Sequence, residues 1–337
     1  MRRFIAFALL SIAGTAVGEE RKFSLKVSED LSLYGSLTGA YFRTNNPDQD
    51  RFNLTNSVIG ISGETGKDIR VGFDLAVGSL LMPTVWDGGQ GDPQRFDFTQ
   101  KGIAREGFGF LWGYLTVKPG GFVSVDFGIM PTNVGYEVAN TYANPNITLG
   151  TTWFAQPVIY PAVRVTFSGI EGVDLYAEYN QEFDLDNFAL GVLGELGGVS
   201  FALSYYDYRS FKNLVDLVLS YSLGKVDVGL NFDYQWLDDP QAGQDESAFG
   251  LALYAVPKFG RFSVPVRVEY FSEGTSGIYS GGNADKGYTL TITPTFKPAG
   301  NTFLRAEVAY ISTDGSVFEN GTKDSRTTLG VELGFTF

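Results

Sequence analysis

From Val226 to Trp236 apolar and polar residues alternate without a break. Val226, Val228, Leu230, Phe232, Tyr234 and Trp236 fall on one side of an extended chain; Asp227, Gly229, Asn231, Asp233 and Gln235 fall on the other, because successive strand side chains point to opposite faces. A slip of one residue would move two carboxylates into the apolar surroundings that the first set demands, so the register is firmly set. The pattern recurs in sixteen segments of about the ten residues that a tilted membrane strand needs. They are 31–43, 52–64, 67–79, 107–118, 121–130, 158–168, 171–183, 186–196, 198–209, 212–223, 225–236, 247–257, 260–272, 285–297, 301–313 and 325–337, with the second and fourth alternating least cleanly.

The junctions divide by parity. Each even-to-odd junction is tight and built from turn residues, among them Gly66-Lys67, Gly197-Gly198, Gly224-Lys225 and Phe259-Gly260. Most odd-to-even junctions are long: 44–51, 80–106, 131–157, 237–246, 273–284 and 314–324, with short ones at 184–185 and 210–211. Tight turns on one rim and long loops on the other are the arrangement of an antiparallel up-and-down transmembrane β-barrel, with short periplasmic turns and long outer loops. A soluble sandwich gives no reason for such parity. No apolar run is long enough for a spanning helix, and a non-helical membrane chain must close on itself to satisfy its backbone in lipid. The expectation is therefore an all-β barrel of about sixteen strands as one domain, 31–337. Its closing strand pairs with its first, bringing the edge of 325–337 against Leu31 to Arg43.

Ahead of the barrel, Arg2 and Arg3 followed by an apolar Phe4 to Ala13 and the small residues Ala16-Val17-Gly18 fit a secretory signal over 1–18. Its removal would leave 319 residues (337 − 18), with 19–30 as a short periplasmic segment. The formal charge of −13 would become −15, as the bases fall from 25 to 23 against 38 acids. An acidic chain argues against nucleic acid as a partner. There are no cysteines and no histidines. The first excludes disulfides; the second removes the commonest general base and the commonest transition-metal ligand. The stretch Asp87 to Asp97 is acidic and glycine-rich, but matches no cation-loop spacing. No phosphate loop or nucleophile elbow is present, so no cofactor and no catalytic residue is expected.

With the apolar set in lipid, the alternate set faces the lumen. The expected pore-lining residues are Arg70, Asp74, Asp126, Arg164, Asp174, Glu178, Asp216, Asp227, Asn231, Asp233, Arg267, Glu269, Lys297, Arg305, Glu307 and Glu332. Acids outnumber bases among them by ten to five, which favours cations mildly. Arg267 with Glu269, and Arg305 with Glu307, form either a field across the pore or local salt bridges. A sixteen-strand barrel is wide enough to hold water.

The two longest loops differ. Residues 80–106 are charged and glycine-rich, which suits a solvated outer loop. Residues 131–157 hold one charge, Glu137, among Tyr136, Tyr142, Trp153 and Phe154. That composition suits burial, in the lumen as a constriction or at a subunit contact; a cap over the mouth is the alternative.

Several stretches carry a resemblance: YGSLTGAYF from Tyr34, FNLTNSVIGISGE from Phe52, VDFGIMPTNVGYE from Val125, YPAVRVTF from Tyr160, and the closing TTLGVELGFTF. In order and spacing they resemble the OmpL-like β-barrel porin family of Gram-negative outer membranes. The resemblance runs over nearly all of 31–337. It implies a passive porin for small hydrophilic solutes or ions, with outer-membrane lipid around it and no cofactor. The closing strand to Phe337 resembles the signal read by the barrel-assembly machinery, and a homo-oligomer stays open, since trimers are common among general porins. Two other classes stay open: an outer-membrane hydrolase, which without histidine would need a carboxylate pair, and a non-conducting structural or adhesive barrel.

Overall fold

Sixteen strands each pair antiparallel with the next, and the last pairs with the first. The computed structural model describes residues 25–26, 30–88, 93–97, 102–105, 108–209 and 211–337. The expected signal and most of the 19–30 segment lie outside them. The strands are β1 (Leu31–Asn45), β2 (Asp48–Thr65), β3 (Arg70–Leu81), β4 (Gly109–Lys118), β5 (Val123–Pro131), β6 (Ile159–Ile170), β7 (Val173–Asn180) and β8 (Asn187–Leu196). They continue as β9 (Val199–Asp207), β10 (Lys212–Ser222), β11 (Val226–Leu237), β12 (Ser247–Phe259), β13 (Phe262–Ser263 and Val266–Ser272), β14 (Lys286–Ile292 and Thr295–Ala299), β15 (Thr302–Thr313) and β16 (Ser325–Thr336). Closure runs from Ser36 opposite Thr336 to Thr44 opposite Thr328. Phe337 then exchanges backbone hydrogen bonds with Gly35, at 2.8 and 2.9 Å. Below that point Leu25–Lys26 pairs with Leu33 and Ser32 and continues the ladder on β1.

The weak alternation of the second and fourth segments has a structural cause. In β2 the register shifts beside Thr55, and in β4 beside Leu111. Each shift is a bulge that puts two consecutive residues, Thr55-Asn56 and Leu111-Trp112, inside the barrel. β13 and β14 are each interrupted at a proline, Pro265 and Pro294, which has no N–H to give to the ladder. Gly197 and Gly198 form a two-residue turn with φ of 61° and 83°; two successive positive φ values match the twist of a hairpin and suit glycine.

The rims are as the parity predicts, with three differences. The 44–51 junction shrinks to Asn46-Pro47, because β1 and β2 pair out to Asn45 and Asp48. The segment 171–183 ends as a strand at Asn180, and Glu182–Asp184 forms a short 3-10 turn that buries Glu182. The start of the 80–106 loop is not solvated. Leu80 to Val85 are buried, and Thr84 bridges in parallel to Leu149 of the 131–157 loop. Its backbone is satisfied there, with Val85 N–H donating to Leu149 O at 3.0 Å and Leu149 N–H to Pro83 O at 2.7 Å. Trp86 then packs between Phe271 on β13 and Phe318 in the loop that follows β15.

Candidate functional site

The 131–157 loop enters the barrel and seats on one side of it. Five of its backbone N–H groups donate to side chains of the walls and a sixth to a carboxylate of the loop itself. Asp216 on β10 accepts from Gly135 at 3.0 Å, and Asn231 on β11 accepts from Tyr136 at 3.1 Å. Glu307 on β15 accepts from Ile147 and Thr148, at 2.5 and 3.0 Å. Glu269 on β13 accepts from Thr152 at 3.1 Å, and the loop's own Glu137 accepts from Gly150 at 2.7 Å.

Loop carbonyls meet cations. Arg305 donates to Asn144 O at 3.0 Å and Thr141 O at 3.1 Å. Arg267 donates to Thr148 O at 2.7 Å, and Lys212 to Ala155 O at 2.8 Å. Buried wall charges here satisfy buried backbone, which loops rarely achieve away from water. Arg267 is also flanked by Glu137 at 2.5 Å and Glu269 at 3.1 Å, and Arg305 pairs with Glu332. Arg305 and Glu307 take separate partners, so the mixed-charge wall acts first as a clamp on the loop.

The sixteen interior-facing residues expected from alternation divide into three groups. Asp216, Asn231, Asp233, Arg267, Glu269, Arg305, Glu307 and Glu332 are buried around the loop. Gln156 ties Asp233 to this set, donating to it at 2.9 Å. Asp74, Asp126, Arg164 and Asp174 border a cavity of about 170 Å³ that the loop leaves open against β2 to β7, with Glu178 behind Arg164 at 2.6 Å. Arg70, Asp227 and Lys297 lie toward the tight-turn rim, where Arg70 pairs with Glu64 and Asp227 with Lys258.

Of the expected loop residues, Tyr136, Glu137 and Trp153 are buried and Tyr142 is half-buried, whereas Phe154 is 53 % exposed. Tyr136 stacks on Tyr254 with ring centroids 4.0 Å apart. Burial pushes the Glu137 carboxyl up to about 7, against the opposing pull of Arg267 and the Gly150 N–H. In the 3-10 turn, burial likewise pushes Glu182 up to about 8, although Tyr206 and the Val158 N–H donate to it.

Alternation did not single out Glu64, Lys118, Trp112 or Tyr114, all of which border the cavity. Glu64 and Lys118 pair with one another, and the Trp112 indole N–H donates to Asp74 at 2.7 Å. Continuing the inward set two residues beyond Ser62 and Thr116 finds the first two. The tyrosines are harder, because Tyr160, Tyr176, Tyr206, Tyr208 and Tyr254 all point inward into a buried cluster. An amphipathic ring suits either face.

The family described as "Putative beta-barrel porin-2, OmpL-like" matches residues 25–337. The chain belongs to that family. The OmpL-like barrel is similar in fold to the outer membrane channel DcaP of Acinetobacter baumannii, at 13% identity and a TM-score of 0.65, over 94% of this chain and 99% of that one. It is similar also to an anion-selective porin from Comamonas acidovorans, at 15% identity and a TM-score of 0.61, over 91% and 99% of the two chains. The trimer form of OmpT from Vibrio cholerae aligns at 12% identity with a TM-score of 0.63, over 91% and 99%. No curated protein matches the sequence significantly. The OmpL-like barrel is thus an outer-membrane porin by family, and its likeness to the solved structures is one of fold.

Proposed function

We propose that the barrel is a diffusion channel for small hydrophilic solutes and ions, with a mild preference for cations. The observation that carries the reading is the one-sided seat of the 131–157 loop. The loop narrows the barrel and leaves a charged cavity against β2 to β7. Five carboxylates border that cavity (Glu64, Asp74, Asp126, Glu137 and Asp174) against two bases (Lys118 and Arg164). An excess of one sign in a narrow, low-dielectric passage raises the local concentration of the opposite ion. Entry through a secretory signal at 1–18, recognition of the closing strand at Phe337 during assembly, and association into trimers belong to the same proposal. The test is a planar-bilayer recording of the folded protein in a potassium chloride gradient. Stepwise conductance with a reversal potential of cation-selective sign is expected; an anion-selective sign would overturn the preference.

One observation favours a second reading. Eight interior residues are spent on holding the loop, and the 80–88 segment adds to the filling, as in a barrel built for envelope structure rather than passage. Folded protein that inserts and never conducts would decide for it.

A further inference from the structure

We infer that the cavity beside the loop is a binding site for a small organic cation with an apolar body. The inference rests on the channel reading and names a solute class that such a channel would hold. Two carboxylates flank β6 from either side, Asp126 on β5 and Asp174 on β7, and both border the cavity. Asp174 is 4 % exposed, and among the described residues it has no hydrogen-bond or ion-pair partner. Asp126 accepts one hydrogen bond, from the Thr116 hydroxyl at 2.6 Å.

A buried carboxylate without a partner is costly, and a native fold that keeps one has a use for it or leaves room for a counter-charge. The neighbouring bases are committed. Lys118 pairs with Glu64, and Arg164 with Glu178 and Pro131 O. A cation in the cavity would therefore meet Asp174 without a competing base of the protein.

The rest of the lining decides what kind of cation. Met130, Val134, Ala202 and Val218 border the same space and belong to one buried apolar cluster. A bare inorganic cation would use only the oxygens of the lining and leave these methyl groups against water, which an apolar body would cover. An ammonium group on an apolar body matches both parts of the lining, with the charge on the carboxylates and the body on the aliphatic residues. The cavity has space for several waters, hence for a solute of several heavy atoms.

The test is a calorimetric titration of the detergent-folded full chain with benzylammonium, with benzoate as an anion of matched shape. Benzylammonium is expected to bind and benzoate to bind far more weakly. Asp174→Asn should weaken benzylammonium by about tenfold or more, the usual size of a lost charged hydrogen bond. Ala202→Leu, which fills the cavity and leaves both carboxylates, should weaken it as well and serves where Asp174→Asn does not fold. Equal binding of the two probes, no binding of benzylammonium, or undiminished binding by both variants would overturn the site. Conductance is read separately. A conducting barrel that ignores benzylammonium loses the site and keeps the channel; a binding barrel that never conducts loses the channel and keeps the site.

Discussion

At the scale of single residues, the barrel interior is governed by where charge is buried and what answers it. Arg267 is the clearest case, fully buried between Glu137 and Glu269 while also holding Thr148 O. Removing it strands two carboxylates, and breaking one buried ion pair typically costs about 3–5 kcal/mol. Arg267→Met is expected to lower unfolding free energy by about that amount in a urea titration followed by tryptophan fluorescence; a change under about 1 kcal/mol would contradict the clamp. Glu137 and Glu182 supply a pH dependence. Their folded-state values, about 7 and about 8, lie above the ordinary 4.5. Between 4.5 and these values the folded chain holds protons that the unfolded chain has released. Their contribution to stability is therefore complete below 4.5 and is lost as pH rises through 7 and 8. The denaturation midpoint should be higher at pH 5 than at pH 8.5, and Glu137→Gln with Glu182→Gln should flatten the difference. An unchanged slope in the double variant would show that other groups set it.

At the scale of elements, the loop behaves as a strap fixed at both shoulders. Gly135 and Tyr136 bond to Asp216 and Asn231 at one end; Gln156 reaches Asp233 at the other. Deleting 138–152 removes the span between the shoulders and leaves those anchors. Single-channel conductance should then rise severalfold in the bilayer, and an unaltered value would remove the loop from the narrowest point of the path. The strands that hold this strap were legible in the sequence because period-two alternation is a direct imprint of a two-sided environment. β11 shows it best, with Asp227, Asn231, Asp233 and Gln235 all buried. The strap's destination was not legible. A loop rich in rings and poor in charge announces burial, but most of its partners lie on β10 to β16, with Ala40, Phe42 and Asn56 beyond the seam, and nothing local to 131–157 names them. The 80–88 segment was misread for the opposite reason. The charges of 87–106 mask an apolar lead-in, Leu80-Leu81-Met82, that is itself long enough to dive inward.

At the scale of the whole molecule, the barrel is closed but not evenly filled. Its walls from β10 round through the seam to β1 and Asn56 on β2 hold the loop, while the cavity lies chiefly against β2 to β7. Strand count, seam and rim parity were all written into the chain, since each follows from spacing and turn chemistry alone. The asymmetry was not, because alternation assigns every inward residue to one class. It cannot separate Glu307, which holds two loop N–H groups, from Asp174, which holds none. That division depends on a contact between residues more than a hundred positions apart.

The same distance along the chain sets an order of events. The loop lies between β5 and β6, yet Arg267, Arg305, Glu307 and Glu332 come 119 to 191 residues after the loop atoms they hold. Contacts that close such long stretches of chain form slowly and only after the intervening pieces are placed. The anchors on β10 and β11 can hold the loop first, and its docking is complete only once the last strands arrive. Maturation of the channel would end with its narrowing, so that a barrel newly closed at its seam is briefly wider than the one it becomes.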